Sequence, residues 1–302
     1  MASDKVSLNE NTTVSKQNFL LVTHATGIKS LASDGVLGLN IDDEGNSQNS
    51  FIQQLYAEKT ISSPSFALHI SENGNKSTLL IGNIADSNEL DSLRNKMGKC
   101  SVPSNSKMWE CPLDVVNVNG KNITVISKVV FDSGVSYMII PINDFKLIRN
   151  DTISNKTCAM NRQNQLLCKC VSPSEFPGMN LLVNGYNISL TPDQLVSYQP
   201  QYEYSCRFNI LLDLNIFGSW ILGESALRGL LVSYDFTNRN IDFVKVDTLP
   251  DNIVFEPPKS GFNWWILLWI LLAIAFLVLC YYLYRHCFIH NEGRESLIQK
   301  SR

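Results

Sequence analysis

Several signatures of cofactor and nucleic-acid chemistry are missing from this 302-residue chain. It has no glycine-rich phosphate loop, no His-Glu-x-x-His and no Cys-x-x-Cys, and both His24 and His69 are isolated. We therefore expect no metal site, no bound nucleotide and no other cofactor. The formal net charge of −3 gives no electrostatic reason to bind nucleic acid. Long helical periods are scarce although 44% of the residues are hydrophobic, which favours an all-β core.

One long stretch has no charge, and it predicts a membrane topology. No charged residue occurs from Ser260 until Arg285. Residues 264–284 would form a helix of about 31 Å, which is long enough to cross a bilayer. Tryptophans near its start and tyrosines near its end are typical of aromatic belts. Four cations and two acidic residues in the segment 285–302 favour a cytosolic C-terminus. The chain is thus predicted to be a single-pass type I membrane protein, in an endolysosomal or vacuolar membrane or at the cell surface.

Two further patterns agree with a lumenal or extracellular N-terminal part. Glycosylation sequons occur at Asn11, Asn75, Asn122, Asn150, Asn155 and Asn187. Six cysteines precede the apolar stretch, and an even number in an oxidising compartment implies disulfides, although six cysteines allow fifteen connectivities. A secretory leader is absent, since no apolar stretch follows a charged segment at the N-terminus.

The chemistry of the chain is indicated by a turn of small residues after an apolar run. Asp132, Ser133 and Gly134 follow Phe131, so that a strand would end in a tight loop exposing one carboxylate. Alone, Asp-Ser-Gly is ordinary turn chemistry. Its meaning comes from a second element, the sequence Trp-Ile-Leu-Gly over residues 220–223, whose glycine lies 91 residues after the aspartate.

This pairing resembles the second lobe of the pepsin-like aspartic proteases. In that family each lobe carries an Asp-Thr/Ser-Gly loop and, further along, a hydrophobic-hydrophobic-Gly strand that crosses behind the loop. Two stretches look like these crossing strands, Val36, Leu37 and Gly38 in the first lobe and Ile221, Leu222 and Gly223 in the second. The resemblance implies a bilobal all-β fold. It also implies a catalytic loop consisting of the catalytic Asp132 with the supporting residues Ser133, Gly134 and Ser136.

The resemblance and the composition together divide the chain into five segments. They are the back half of a first lobe (1–95), a complete second lobe (96–246), a proline-containing stalk (247–263), the membrane helix (264–284) and the cytosolic tail (285–302). Hairpins are predicted around Asn73-Gly74, Asn119-Gly120 and Asn184-Gly185. Helices are predicted over residues 50–57 and 141–148, and strands over residues 4–8, 19–22 and 33–39.

The resemblance also implies a set of disulfides. Cys170 and Cys206 match the positions of the second-lobe disulfide of the family. The remaining four cysteines are then expected to form two local staples, Cys158–Cys168 and Cys100–Cys111.

The first-lobe half of the catalytic site is not found in the sequence. Counting the same 91 residues back from Gly38 gives position −53, and no other Asp-Thr-Gly or Asp-Ser-Gly occurs. The first catalytic aspartate, the flap that covers substrate in the family and the secretory leader would all lie before Met1. We therefore expect Met1 to be an internal residue of a longer protein. The alternative is a complete chain that has kept the fold and lost catalysis, and that binds a peptide or a partner protein.

The implied reaction requires two carboxylates. Held about 3 Å apart, they share one proton. The ionised member takes a proton from a water that attacks the peptide carbonyl, and the protonated member stabilises the carbonyl oxygen. Val135 stands where the family commonly has a hydroxyl that bonds the carboxylate, so Asp132 loses one hydrogen bond to its charged form. The implied substrate is a peptide or protein, and the protein is expected to be monomeric.

Overall fold

The computed structural model describes residues 2–9, 12–24, 34–41, 50–72, 76–82, 93, 96–153, 155–214, 218–246, 272–274 and 276–281. The chain divides into two compact units, Met1–Pro258 and Lys259–Arg302. All the strands named below belong to the first unit.

The described part of the first unit is mostly β-structure. Its strands are β1 (Ala2–Asn9), β2 (Thr12–Phe19), β3 (Ser65–His69), β4 (Thr78–Ile81), β5 (Gly98–Ser101), β6 (Glu110–Val118), β7 (Lys121–Phe131), β8 (Met138–Pro141), β9 (Cys158–Met160), β10 (Gln165–Cys168), β11 (Met179–Val183), β12 (Tyr186–Leu190), β13 (Val196–Tyr198), β14 (Cys206–Asp213), β15 (Trp220–Leu222), β16 (Leu230–Asp235) and β17 (Asn240–Lys245). Its helices are α1 (Phe51–Ala57), α2 (Ile142–Ile153), α3 (Pro192–Leu195), α4 (Glu224–Leu227) and a 3-10 turn (Pro173–Glu175).

The largest sheet has ten strands, in the order β12-β11-β6-β7-β15-β8-β14-β10-β9, with β13 paired to β14. Most neighbours are antiparallel, but β15 runs parallel to β7, and β14 runs parallel to β8. These parallel pairs lie in the middle of the sheet. Strand β15 has the composition of a strand covered on both faces, because Trp220, Ile221 and Leu222 are all buried.

A second sheet, of five strands, joins the two predicted lobes. Its order is β4-β3-β16-β17-β5. Strand β3, from the predicted first lobe, pairs antiparallel with β16 from Leu231 opposite His69 to Asp235 opposite Ser65. A third, two-stranded sheet consists of β1 and β2, and the predicted strand over residues 4–8 lies within β1. The lobe boundary near residue 95 stays a prediction.

Local sequence signals account for the hairpins. Asn119 and Gly120 have φ values of 53° and 77°, and Asn184 and Gly185 have 45° and 78°. Two consecutive positive φ angles are typical of the tight turn that Asn-Gly favours. These turns join β6 to β7 and β11 to β12, and β3 pairs with β4. The three predicted hairpins are confirmed, although residues 73–75 of the β3–β4 turn lie outside the described residues.

Both predicted helices are also confirmed. The side chain of Ser50 caps α1 by accepting a hydrogen bond from the Gln53 amide, and the helix buries Phe51, Ile52 and Leu55. Helix α2 begins directly after β8 and extends to Ile153, beyond the predicted end at residue 148.

Two predicted strands are not found where the sequence placed them. Strand β2 ends at Phe19, and Leu20 to Val22 are exposed without strand structure. The described residues 34–41, which include the predicted crossing strand Val36, Leu37 and Gly38, also form no strand. A strand needs a neighbour for its amides and its apolar face. Among the described residues, neither segment has such a neighbour.

The three predicted disulfides, Cys100–Cys111, Cys158–Cys168 and Cys170–Cys206, are all present. Each closes a short segment, with partners 11, 10 and 36 residues apart respectively.

The predicted stalk (247–263) and tail (285–302) lie outside the described residues, as does most of the predicted membrane helix (264–284). Residues 272–274 and 276–281 are helical. No helix within the described part of the chain is both long enough and apolar enough to cross a membrane.

The five-stranded sheet contains a carboxylate whose titration should affect stability. Asp242 on β17 lies opposite Lys99 on β5. Burial raises the pKa of Asp242, Lys99 lowers it and Asp235 raises it again, with a net upward shift. A raised pKa in the folded state means that the stabilisation is complete below the unfolded pKa, near 3.9, and is lost as pH rises through the folded pKa.

We expect Asp242→Asn to raise the melting temperature at pH 7 by about 2–3 °C and to change it little at pH 3.5. Lys99→Met is the matched control. It removes the attractive cation, so it should lower the melting temperature at pH 7 only. Thermal unfolding of the three proteins at both pH values checks this, and equal shifts of Asp242→Asn at the two pH values would contradict it.

Candidate active site

Asp132 occupies the loop between two strands that are separated by a third. It follows Phe131, the last residue of β7, and the chain returns to the sheet as β8. Strand β15 lies between them, with Leu222 in register with Phe131. The Asp132 amide donates a hydrogen bond to the Leu222 carbonyl over 3.1 Å. The predicted crossing strand of the second lobe is therefore present and holds the first residue of the loop.

The loop packs on Gly223 at very short range. A Cβ atom added to this glycine would lie 2.1 Å from the carbonyl oxygen of Tyr137 and 2.4 Å from that of Val135. The Val135 carbonyl also accepts a hydrogen bond of 2.7 Å from the Glu224 amide at the start of α4. The Ser136 carbonyl accepts one of 3.2 Å from Ser225. The path of the loop is thus fixed by backbone contacts.

The carboxylate itself is partly exposed and accepts a hydrogen bond from its own loop. The Gly134 amide donates to Asp132 Oδ1 over 2.9 Å. The hydroxyls of Ser133 and Ser136 are exposed, and in the described part of the chain neither bonds the carboxylate. Val135 cannot bond it through a side chain. The carboxylate therefore keeps acceptor capacity for a water or a proton-sharing partner.

A buried tryptophan ties the crossing strand to the helix that follows the loop. Trp220 is fully buried, and its Nε1 donates to Asp144 Oδ2 over 2.8 Å. Asp144 lies in the first turn of α2, where a negative charge is also favoured by the helix dipole. Strand β15 is therefore bonded both to Asp132 at the start of the loop and to Asp144 in the helix that follows β8.

Four aromatic residues, the aromatic cluster, pack beside the strand that leads into the loop. Its members are Phe66, Trp109, Tyr234 and Phe236. Phe66 stacks on Tyr234 with centroids 4.4 Å apart, and the Trp109 carbonyl accepts a hydrogen bond from the Phe131 amide. Burial raises the pKa of Tyr234, and the nearby Asp132 carboxylate raises it further. The phenol is therefore neutral beside Asp132 at every pH near or below neutrality.

The predicted first-lobe motif reaches the same cluster. The Leu39 carbonyl accepts a hydrogen bond of 3.0 Å from Trp109 Nε1. Val36 is 81% exposed and Leu37 is 40% exposed. A Cβ atom at Gly38 would meet nothing within 4 Å. Gly38 therefore resembles Gly223 in sequence, but among the described residues no loop packs on it.

Four predicted glycosylation sites can be located. Asn122, Asn150, Asn155 and Asn187 are all exposed. Asn11 and Asn75 lie outside the described residues. Glycosylation at all six stays a prediction.

Sequence reasoning missed three residues that frame the site, Trp109, Asp144 and Tyr234. Tyr234 lies in strand β16, and its packing against Phe66 and Trp109 has no local signal in the sequence. Trp109 and Asp144 stand in no motif. Contacts between residues distant in sequence place them, since Trp109 packs on Tyr234 and Asp144 accepts a hydrogen bond from Trp220.

Comparison with known proteins gives a consistent result. The family model described as eukaryotic aspartyl protease matches residues 1–246. The aspartic-type endopeptidase ctsD of Aspergillus fumigatus is 26% identical over 227 residues, which are 72% of this chain and 45% of that protein. Pregnancy-associated glycoprotein 2 of Bos taurus is 25% identical over 249 residues, which are 80% of this chain and 62% of that protein.

A solved structure shows the fold. The crystal structure of the aspartic proteinase from Irpex lacteus superimposes with a TM-score of 0.65 at 17% identity, over 82% of this chain and 78% of that chain. The chain thus has a mostly-β, pepsin-like fold. It spans only about half the length of the relatives it matches in sequence, from 45% to 62%.

The two glycines provide a direct test of the loop geometry. We expect Gly223→Ala to lower the free energy of unfolding by about 1–3 kcal/mol, because its Cβ overlaps two carbonyl oxygens. Gly38→Ala is the matched control and should change that free energy by less than about 0.5 kcal/mol. Urea unfolding of both variants measures the difference. Equal losses would mean that the packing of the loop on Gly223 is not as described.

Proposed function

The chain belongs to the eukaryotic aspartyl protease family, and from this premise we propose that it is an aspartic-type endopeptidase with Asp132 as one of two catalytic carboxylates. The observation that carries the proposal is the Asp132 loop. Its carboxylate is partly exposed, receives the Gly134 amide and is held from behind by a crossing strand. The substrates would be peptides or proteins.

We place the second carboxylate on a loop that packs over Gly38. Gly38 has no positive φ, and a Cβ there would meet no described atom within 4 Å. Nothing described therefore requires a glycine at this position. Gly223, in the equivalent motif, is required because the Asp132 loop packs on it. A second loop of the same kind on Gly38 would lie close to Trp109, which contacts both Leu39 and Phe131.

In this arrangement each group has a defined task. Asp132 and the second carboxylate would share one proton and titrate as a pair. The ionised member would take a proton from the attacking water, while the protonated member would donate to the carbonyl oxygen of the substrate. The Gly134 amide orients Asp132. Tyr234, whose pKa is raised by burial and by Asp132, adds no negative charge beside the pair.

The location of the protein is part of the proposal. We propose that residues 264–284 anchor it in a membrane as a single span, with the preceding part lumenal or extracellular, N-glycosylated and monomeric. The uncharged sequence of that segment supports the anchor. The disulfides and the four exposed sequons support the compartment.

A second candidate is a binding protein that has the fold but no catalysis. It is favoured by two observations on the described residues. Asp132 receives no hydrogen bond from a hydroxyl, and it faces no second Asp-Thr/Ser-Gly. Such a protein would still bind a peptide beside the Asp132 loop.

The first prediction from this proposal concerns Asp132. In a form of the protein that carries a second, in-frame Asp-Thr/Ser-Gly segment ahead of residue 1, we expect peptide hydrolysis with a maximum at acid pH. Asp132→Asn should reduce kcat by about 10³-fold, since it removes the group that handles the proton. Sequencing the transcript upstream of the Met1 codon comes first. A stop codon close upstream, together with peptide binding that survives Asp132→Asn, would contradict the endopeptidase proposal and support a binding protein without catalysis.

The same form of the protein tests the role of Gly38. Gly38→Ala should be harmless to the stability of the 302-residue chain, yet it should reduce hydrolysis by at least about tenfold when the second loop is present. The stability measurement is the control, because it separates a displaced loop from a misfolded protein. Full activity of Gly38→Ala would place the second carboxylate elsewhere.

A further inference from the structure

Four half-cystines lie together at one edge of the ten-stranded sheet. Cys168 on β10 is directly opposite Cys158 on β9, and it is also directly opposite Cys206 on β14. Residues directly opposite on antiparallel neighbours point to the same face of a sheet. Cys168 therefore lies between its own disulfide partner and one sulfur of the Cys170–Cys206 disulfide.

The Cys158–Cys168 bridge joins a closely spaced pair. The Lys169 amide donates to the Thr157 carbonyl over 2.9 Å, which makes residues 157 and 169 the hydrogen-bonded pair. Cys158 and Cys168 are then the next, non-hydrogen-bonded pair, where Cα atoms approach most closely. Their Cα atoms are 4.0 Å apart. Cys158 is partly exposed, so a reductant can reach it.

We propose that these four cysteines form a thiol–disulfide exchange site whose substrate is a dithiol reductant. One thiolate of the dithiol attacks Cys158 Sγ and releases Cys168 as a thiolate. The second thiol of the reductant then closes its own disulfide and frees Cys158. The Cys168 thiolate attacks Cys206 Sγ, forms a Cys168–Cys206 disulfide and releases Cys170, which takes a proton from water. Two electrons pass from the dithiol to the protein, and two thiols result, at Cys158 and Cys170.

The surroundings of Cys170 identify it as the leaving group. Ser205 Oγ lies 3.6 Å from Cys170 Sγ and can donate a hydrogen bond to the thiolate as it forms. The same hydroxyl donates to the Cys170 carbonyl over 2.5 Å, so only a rotation about its C–O bond is needed. Cys170 is also partly exposed, whereas Cys206 is fully buried. A stabilised thiolate leaves faster than a buried one.

The third disulfide lacks these features. Cys111 is opposite Val129, and Cys100 is opposite Ile241. Within the described strands no second disulfide stands beside either residue in register, so a thiol released here has no neighbouring disulfide to attack. This pair is therefore the internal control for the proposal, which is independent of the proposed peptidase activity.

The test uses the full 302-residue chain and one equivalent of dithiothreitol. Samples are quenched in acid, unfolded, labelled with N-ethylmaleimide and mapped as peptides without further reduction. Among the described residues Cys280 is a free thiol before reduction, so its label is counted as background, as is any label on Cys287. We expect new label on Cys158 and Cys170, together with a cross-linked peptide containing Cys168 and Cys206.

Two results would overturn the proposal. One is label on Cys158 and Cys168 with the Cys170–Cys206 bridge intact, which would mean reduction without exchange. The other is reduction of Cys100–Cys111 ahead of the two neighbouring bridges.

Variants test the exchange step without a reductant. Cys158→Ser leaves Cys168 as a thiol, and we expect the label on Cys170. Label on Cys168 instead would contradict the exchange. The matched control, Cys111→Ser, should place the label on Cys100 itself and leave the other bridges unchanged. If Cys158→Ser does not fold, the labelling of the wild-type chain after treatment with dithiothreitol decides between the two outcomes.

The leaving-group assignment has its own variant. Ser205→Ala removes a hydrogen bond to the departing sulfur. When the variant and the wild-type chain are compared at the same extent of Cys158 labelling, label should appear on Cys170 about fivefold more slowly in the variant. An unchanged rate would show that Ser205 has no part in the step.

Discussion

The close approach of the Asp132 loop to Gly223 is the constraint on which the rest of the site depends. Two carbonyl oxygens, of Val135 and Tyr137, occupy the space that any side chain at this position would need. Because they do, β15 can pass between β7 and β8, pair with both and receive the Asp132 amide on the Leu222 carbonyl. The carboxylate is thereby placed by backbone geometry, and the Gly134 amide is its one described hydrogen-bond donor, so acceptor capacity is left for chemistry.

The side chains around this frame reinforce it from two sides. The hydrogen bond from Trp220 to Asp144 ties the crossing strand to α2. In the core, Trp109 connects the strand before the loop to Leu39. An Asp132 carboxylate beside the neutral phenol of Tyr234 meets no second fixed negative charge from that side.

The sequence predicted the parts of this fold that depend on neighbours along the chain. Asn-Gly turns require φ angles that few residues adopt, so the three hairpins could be predicted from dipeptides, and two of the turns show those angles among the described residues. The Asp132 loop and the pairing of the cysteines followed from a family resemblance. The contacts of Trp109 with Leu39 and of Trp220 with Asp144 join residues 70 and 76 positions apart, and no local pattern encodes them. The strand predicted over residues 19–22 failed for a related reason, since a strand pattern cannot reveal whether a partner strand is available.

Strand β14 connects the proposed exchange site to the strand that follows the Asp132 loop. Strand β14 begins at Cys206 in the row of cysteines, and four residues later Ile210 pairs with Met138, the first residue after the Asp132 loop. At the rise of a strand, these positions are about 13 Å apart. Moving the Cys206 bond from Cys170 to Cys168 would replace a tether to a loop by a tether across the sheet. Strand β14, which contains Cys206, also pairs with β8. The proposed exchange at the edge of the sheet and the proposed proton chemistry beside β8 would thus share strand β14, and a change in the first would have a direct structural route to the second.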